Sequence, residues 1–447
     1  MENTTSYYDR INRRIRNSVT LKLLSMGILM LLLLIPAAMI QELIYEREFT
    51  RQAAISEVSS KWGNAQTLAG PVLIIPYNVY RTTEDDRVVE TTAYAYFLPE
   101  TLRVEGKVTP ETRYRGLYEV VVYTTTMSYA GHFAPPDFSD WDIDPKDILW
   151  DDATLAVGIS DLRGINESIK LRWNNAPFDV DPGVEPRTVI DAGVSVPVPV
   201  SATPPESGRY DVAFEVNLNG SDGLHFVPLG KETRVHLASS WSTPSFNGAF
   251  LPDTRTVTEE GFAADWRVLH LNRNYPQQWR GGGVDLDESA FGVNLLLPVD
   301  QYQKSMRAAK YAILVIAFTF LTFFLTEVRN REKRAHPFQY ILVGLALCLF
   351  YALLVSLSEH VTFNAAYALA GFATIGAVTT YTRSIFKTRS LSLLTGLVLS
   401  VLYGFVFIIL QLEDYALLVG TVGLFVALSL TMYLTRNIDW YASGEAE

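Results

Sequence analysis

The chain is poor in the residues that build covalent staples and linear metal sites. Cys348 is the single cysteine among 447 residues. No disulfide can form within the chain, so a polar domain outside the cytosol must be held by its own core. Histidine occurs six times, at His132, His225, His236, His270, His336 and His360, and no two stand at ligand spacing. There is no HExxH and no Cys/His set, hence no linear zinc signature. GxxxxGK[ST] and GxGxxG are absent, so no phosphate-binding turn is written in the chain. Ser160, within Gly158-Ile159-Ser160-Asp161, lacks the second glycine of a nucleophile elbow. Gly281-Gly282-Gly283 reads as a flexible loop. Basic residues are outnumbered, 37 against 48 acidic, for a net charge of −11. A nucleic-acid surface needs a basic stripe, and this balance argues against one. These patterns predict no catalytic residue, no metal and no cofactor, and the chain reads as non-enzymatic.

What the chain has in abundance is long apolar runs. Overall composition hides them: 49% hydrophobic, 19% charged, mean hydropathy +0.13. Five follow one another near the C-terminus, at about 309–326, 340–357, 363–380, 391–410 and 415–434. Each has the length needed to cross a hydrocarbon core about 30 Å thick. None carries Asp, Glu, Lys or Arg near its middle. Backbone groups in lipid must be satisfied internally, so these runs are expected to be helices. A sixth, at 19–40, follows a basic segment at 1–18. A cleaved signal peptide and an uncleaved anchor compete there. The apolar run is longer than the ~7–15 residues of a signal core, which favours the anchor.

Between anchor and block lies a different chemistry. Residues 41–65 have helical punctuation, with Ile44, Ile55, Val58 and Trp62 among charges, and read as a stalk. Residues 66–299 carry short runs of Val, Ile, Thr and Tyr between turn signals, the pattern of strands. Runs at 102–108, 114–129, 154–159, 169–173, 194–200, 210–218, 233–237, 261–271 and 291–297 stand out. Asn219-Gly220 and Asp222-Gly223 read as turns between them. Many short strands of this kind predict an antiparallel β-sandwich-like domain. The Pro-rich stretch 196–205 is a candidate divider into two lobes. The acidic stretch 137–152 has D-x-D-x-D spacing at Asp140, Asp142 and Asp144, but Pro145 stands where a calcium loop turns on glycine. Asp144 reads instead as the cap of a short helix opened by Pro145. Asp300 with Gln303 resembles a capping box for a helix leading into the apolar block. That block occupies 300–434, and 435–447 form a tail.

Basic residues orient the spans. Arg10, Arg13, Arg14 and Arg16 precede the first. Arg329, Arg331, Lys333 and Arg334 follow the second; Arg383, Lys387 and Arg389 lie between the fourth and fifth; Arg436 follows the sixth. The alternate short connections carry Glu359 and His360, or Glu413 and Asp414, and no base. Six crossings with both termini inside satisfy this pattern, and the long polar domain falls outside.

Within the spans, ionisable groups sit at helix ends, which gives little support to an ion relay. Tyr340, Tyr367 and Trp440 suit interfacial positions. The candidate functional cluster is Ser358, Glu359 and His360, on the side of the polar domain. A histidine beside a carboxylate can respond to pH. The plainer reading is a polar cap at the water boundary.

Linear motifs carry a resemblance as well. AGPVLIIPY (69–77), YFLPETLRVEG (96–106), ISDLRGI (159–165) and PSFNGAFLPDTRTVTEEGF (244–262) resemble the bacterial CreD family. DQYQKSMRAAKYAILVIAFTF (300–320), HPFQYILVGL (336–345), SEH (358–360) and LTRNIDWY (434–441) extend the match. The resemblance implies an inner-membrane envelope-integrity protein of Gram-negative bacteria, controlled by a two-component pair and linked to colicin tolerance. It brings no agreed activity and no catalytic residues. The resulting expectation is an α+β membrane protein with six transmembrane helices, one N-terminal and five C-terminal, and a large periplasmic β domain. Expected partners are the lipid bilayer and an envelope protein or peptidoglycan. Lipid or small-solute handling by the bundle, or modulation of a sensor kinase, are the alternatives.

Overall fold

The computed structural model describes residues 19–82, 84–203, 205–295, 301–329, 335–412 and 415–436. Two compact units share the chain, one from Met1–Thr50 with Val299–Glu447, the other Arg51–Pro298. Outside the described residues lie the arginines at 10–16, Pro298 to Asp300, Arg331 to Arg334, Glu413, Asp414 and Trp440.

Seven helices are described: α1 (Val19–Trp62), α2 (Gln301–Lys310), α3 (Ala312–Arg329), α4 (Pro337–Ser358), α5 (Phe363–Phe386), α6 (Arg389–Gln411) and α7 (Ala416–Thr435). α1 is continuous over 44 residues with Pro36 inside it. Among the described residues, five segments are long and apolar enough to cross a membrane: Lys22–Trp62, Gln301–Val328, Pro337–Ser358, Arg389–Gln411 and Ala416–Thr435. α5, with 24 residues, falls outside that set. Its Ala, Gly and Thr content trims the apolar surface that the other helices supply. Among the described residues five of the six expected spans meet that length and apolarity, and α5 is a helix of 24 residues where the remaining one was read.

Small residues and aromatic rings set how the helices pack. Gly344 of α4 lies where a Cβ would strike the side chain of Leu33 on α1. Without a hydrophobic force between helices in lipid, such close approach is what small residues provide. Phe350 of α4, Tyr367 of α5 and Tyr403 of α6 form one aromatic layer, with Phe350 and Tyr403 4.3 Å apart at their centroids. Tyr367 donates from its hydroxyl to the Tyr403 carbonyl at 2.8 Å. α7 has no buried residue. A helix apolar on every face suits lipid rather than water.

The second unit is built on two sheets. In spatial order the first runs Pro244–Gly248, Phe291–Leu295, Gly223–Phe226, Gln66–Thr82, Thr154–Ile159, Gly193–Pro197, Asp181–Pro182. Val88–Phe97 also pairs with Gln66–Thr82, and Gln278–Arg280 with Val88–Phe97. The second runs Thr254–Thr258, Gly261–Leu269, Glu232–Ser239, Thr101–Arg115, Tyr118–Phe133, Tyr210–Ser221, Lys170–Trp173, Ala176–Asp179. Burial alternates along Tyr210–Ser221, as a strand with one face on a core requires. Leu68 through Leu295 contribute to one hydrophobic cluster.

The expected sandwich was wholly antiparallel; the sheets are mixed. Gln66–Thr82 runs parallel to Gly223–Phe226, and Thr101–Arg115 parallel to Glu232–Ser239. Parallel neighbours need long crossovers, and each pair here is far apart in sequence. The Pro-rich stretch does not divide the domain, because Val196, Val198 and Val200 are buried in the same core. Asn219-Gly220 makes no turn. Both residues pair within the sheet, opposite Thr124 and Tyr123. The Tyr123 ring fills the space where a Gly220 side chain would stand. Asp222, at φ 63°, takes the left-handed turn position instead.

Candidate functional site

α4 ends at Ser358, and the three candidate residues part company there. Ser358 is buried and donates its hydroxyl to the Val355 carbonyl at 2.9 Å, satisfying itself on its own helix. Glu359 caps the helix, and its N–H reaches the Val355 carbonyl at 3.3 Å. Its carboxylate points to other elements. Oε1 accepts from the Tyr302 hydroxyl at 3.0 Å and lies 3.9 Å from Arg47 Nε. The Glu359 side chain is 10% exposed, so Tyr302 and Arg47 supply most of what water would. His360 donates its N–H to the Leu357 carbonyl at 3.0 Å, and its side chain is exposed. Among the described residues no hydrogen bond or ion pair joins it to Glu359. The assembled site is therefore Arg47–Glu359–Tyr302, uniting α1, α4 and α2. Sequence reasoning missed Arg47 and Tyr302. Both lie in charged, amphipathic segments whose pairing has no local signal.

A second carboxylate binds the helices together elsewhere in this unit. Glu327 is 4% exposed. It receives Lys22 Nζ at 2.9 Å, the Ala335 N–H at 2.8 Å and the Tyr340 hydroxyl at 3.2 Å. A buried charge persists only when paired and hydrogen-bonded, and three donors meet this one. The arrangement is structural, and no proton path continues from it among the described residues.

In the strand-rich unit, Asp161 accepts from the Asn64 N–H at 3.0 Å and from Arg163 Nε and Nη2 at 2.9 Å each. The Arg163 side chain, opposed by partial burial, holds this acid down at about 2. Gln66 Nε2 donates to the Asp161 carbonyl at 2.9 Å, so the network ties the foot of α1 to the first sheet. Ser160 accepts from the Thr67 N–H and donates to the Ala65 carbonyl. Among the described residues no histidine addresses it, and its hydrogen bonds join chain segments. His236 pairs with Asp265 at 2.7 Å, which holds that acid below its ordinary value. Asp144 caps Pro145–Asp147 by accepting from the Lys146 N–H. Among the described residues no group of three or more His, Cys, Asp or Glu is placed to hold a metal.

Apolar helices of membrane length, with a large strand-rich domain inserted between the first and the rest, define a polytopic helical membrane protein. Its charged side chains act as inter-element ties. The family model described as inner membrane protein CreD matches residues 18–441. Over 422 residues the chain is 36% identical to the inner membrane protein CreD of Escherichia coli strain K12, spanning 92% of this chain and 91% of that one. The chain belongs to the CreD family of inner membrane proteins.

Proposed function

We propose that this protein is a non-enzymatic component of envelope integrity whose β domain faces the periplasm and binds an envelope partner, a protein or peptidoglycan. The proposed threading has six crossings, α5 included, with both termini cytoplasmic. The basic residues around the spans support it: Arg383, Lys387 and Arg389 flank one short connection, and Glu359 and His360 the alternate one. A reporter fused near residue 200 should be active only outside the cytosol, and cytosolic activity would overturn the threading.

The observation that carries partner binding is an exposed hairpin end. Residues 78–82 pair with 88–92 and, among the described residues, with no other strand, since pairing to Thr154–Ile159 ends at Ile74. Tyr80, Val88 and Val89 are exposed on it, Val88 at 67%. Exposed strand edges with apolar side chains are templates for another chain unless blunted. The test is photocrosslinking in cells from positions 80, 88 and 89, against Thr256 on an exposed edge of the other sheet. An adduct with one envelope component, from the hairpin alone, is expected. Equal or absent adducts at all positions would overturn the reading. Deleting 78–92 should reproduce the loss seen when the whole β domain is removed.

A further inference from the structure

A groove opens between α1 and α2. It has a volume of about 270 Å³ and is lined by Ile44, Tyr45 and Glu48 on one side and Tyr302, Met306, Arg307 and Lys310 on the other. Ile44 and Tyr302 are buried and form its floor with Met306. Arg307 and Lys310 are exposed at its rim, and among the described residues neither has an ion-pair partner. Glu48 on the facing wall leaves the lining with one net positive charge. The groove's depth is set by the chain. It begins four residues beyond Ile40, where the first apolar run ends, and it closes at Lys310, where α3 begins at Ala312. Tyr45 and Phe49 are exposed on the same stretch of α1, at 60% and 77%. Exposed aromatic rings beside the end of an apolar helix mark the headgroup level.

We propose that this groove holds one anionic phospholipid of the surrounding bilayer. The phosphodiester sits against Arg307 and Lys310, and the upper acyl chain covers Ile44 and Met306. Three features select this occupant. Two exposed cations, without an ion-pair partner among the described residues, complement a phosphate at headgroup depth. The floor of Ile44 and Met306 is apolar, as an acyl chain requires. The volume lies just below that of sites for drug-sized molecules, enough for a headgroup and the start of one chain. The proposal rests on reading α1 and α3 as membrane spans. The structural consequence is a lipid wedged beside Tyr302, whose hydroxyl holds Glu359.

The test uses the full chain, extracted in mild detergent, with native mass spectrometry of retained lipid. Phosphatidylglycerol and phosphatidylcholine with identical acyl chains are the probes. Each basic residue near an anionic headgroup contributes on the order of 1 kcal/mol, so retention of phosphatidylglycerol should exceed phosphatidylcholine roughly tenfold or more. R307A/K310A should bring the two to parity with an unchanged unfolding temperature, and M306W should lower both. Equal retention by the native chain, indifference to R307A/K310A, or a co-purifying polypeptide in place of lipid would overturn the site. Recovery of the chain from membranes without detergent would instead overturn the membrane reading beneath it.

Discussion

Lys22 and Glu327, 305 positions apart, meet as an ion pair, with Nζ 2.9 Å from Oε2 and the carboxylate side chain 4% exposed. The pair ties α1 to α3. Removing one partner leaves a buried charge uncompensated, at a cost of about 3–5 kcal/mol. Glu327→Ala should therefore lower the unfolding temperature in detergent sharply, since it also strands the Tyr340 hydroxyl and the Ala335 N–H. Lys22→Met should cost less, because its nitrogen is the more exposed member. The double variant should cost less than the sum of the two. Additivity would show that the pair contributes nothing as a pair.

Leu33 and Gly344 make the apolar counterpart. Leu33 is fully buried, and its side chain occupies the space beside the Gly344 Cα. Gly344→Val should force α1 away from α4 and destabilise by about 1–3 kcal/mol through overpacking. Leu33→Ala alone should cost about 2–5 kcal/mol. Combined, the valine should refill the lost volume, and the double variant should be more stable than Leu33→Ala. Thermal unfolding of the four proteins in one detergent decides it.

These ties mark where sequence reading stopped. Local pattern was sufficient for the strand at Thr154–Ile159, whose bounds match the apolar run, and for the Asp144 cap. It was also sufficient for the apolar helices, because lipid leaves the backbone no alternative. It failed at Asn219-Gly220, where a turn dipeptide is drawn into a strand to make room for Tyr123. It could not give strand order, because the parallel partners of Gln66–Thr82 and Thr101–Arg115 lie more than a hundred residues away. Ser358, Glu359 and His360 looked like a unit because they adjoin in sequence. At a helix end, adjacent side chains diverge, and Glu359 found Tyr302 and Arg47 instead. Chemistry that depends on pairs from distant helices leaves no linear trace.

The Arg47–Glu359–Tyr302 site makes a conformational prediction. Tyr302→Phe removes the hydroxyl that donates to the Glu359 carboxylate and leaves Arg47 at 3.9 Å. Hydrogen bonds to charged groups contribute about 1.5–3 kcal/mol. Tyr302→Phe should lower stability by an amount in that range. The same change on a Glu359→Gln background should cost less, because the acceptor is no longer charged. Equal costs on both backgrounds would remove the hydroxyl–carboxylate bond from the account.

Asp161 gives the strand-rich unit one acid-dependent contribution to stability. Its folded-state value, about 2, lies below its ordinary value of 3.8. A depressed acid stabilises the fold above its ordinary value, and that contribution is lost as pH falls through the folded one. The window is therefore pH 4 down to about 2. Asp161→Asn should remove this acid dependence, since an amide has no proton to gain. At neutral pH it should cost about 1–3 kcal/mol, because Arg163 and the Asn64 N–H lose a charged acceptor. Denaturant unfolding at pH 6 and pH 3 measures both. A variant as acid-sensitive as the native chain would place the sensitivity elsewhere.

Arg273 poses the sharpest test of how this domain handles charge. Its residue is 9% exposed. Nη1 donates to the Tyr275 carbonyl at 2.7 Å, Nη2 donates to the Leu229 carbonyl at 3.2 Å and to Gln277 Oε1, and the guanidinium stacks over the Tyr275 ring at 4.2 Å. Among the described residues no carboxylate pairs with it, so carbonyl dipoles and a ring face carry the whole charge. Burial accordingly pushes its pKa down. A planar fork with five donors can address two carbonyls and an amide at once; an ammonium cannot. Arg273→Lys should therefore be nearly as damaging as Arg273→Met, each costing about 2–4 kcal/mol from buried acceptors left unmet. If charge alone mattered, lysine would rescue. Denaturant unfolding followed through tryptophan fluorescence, which Trp266 and Trp279 of this core report, separates the two outcomes.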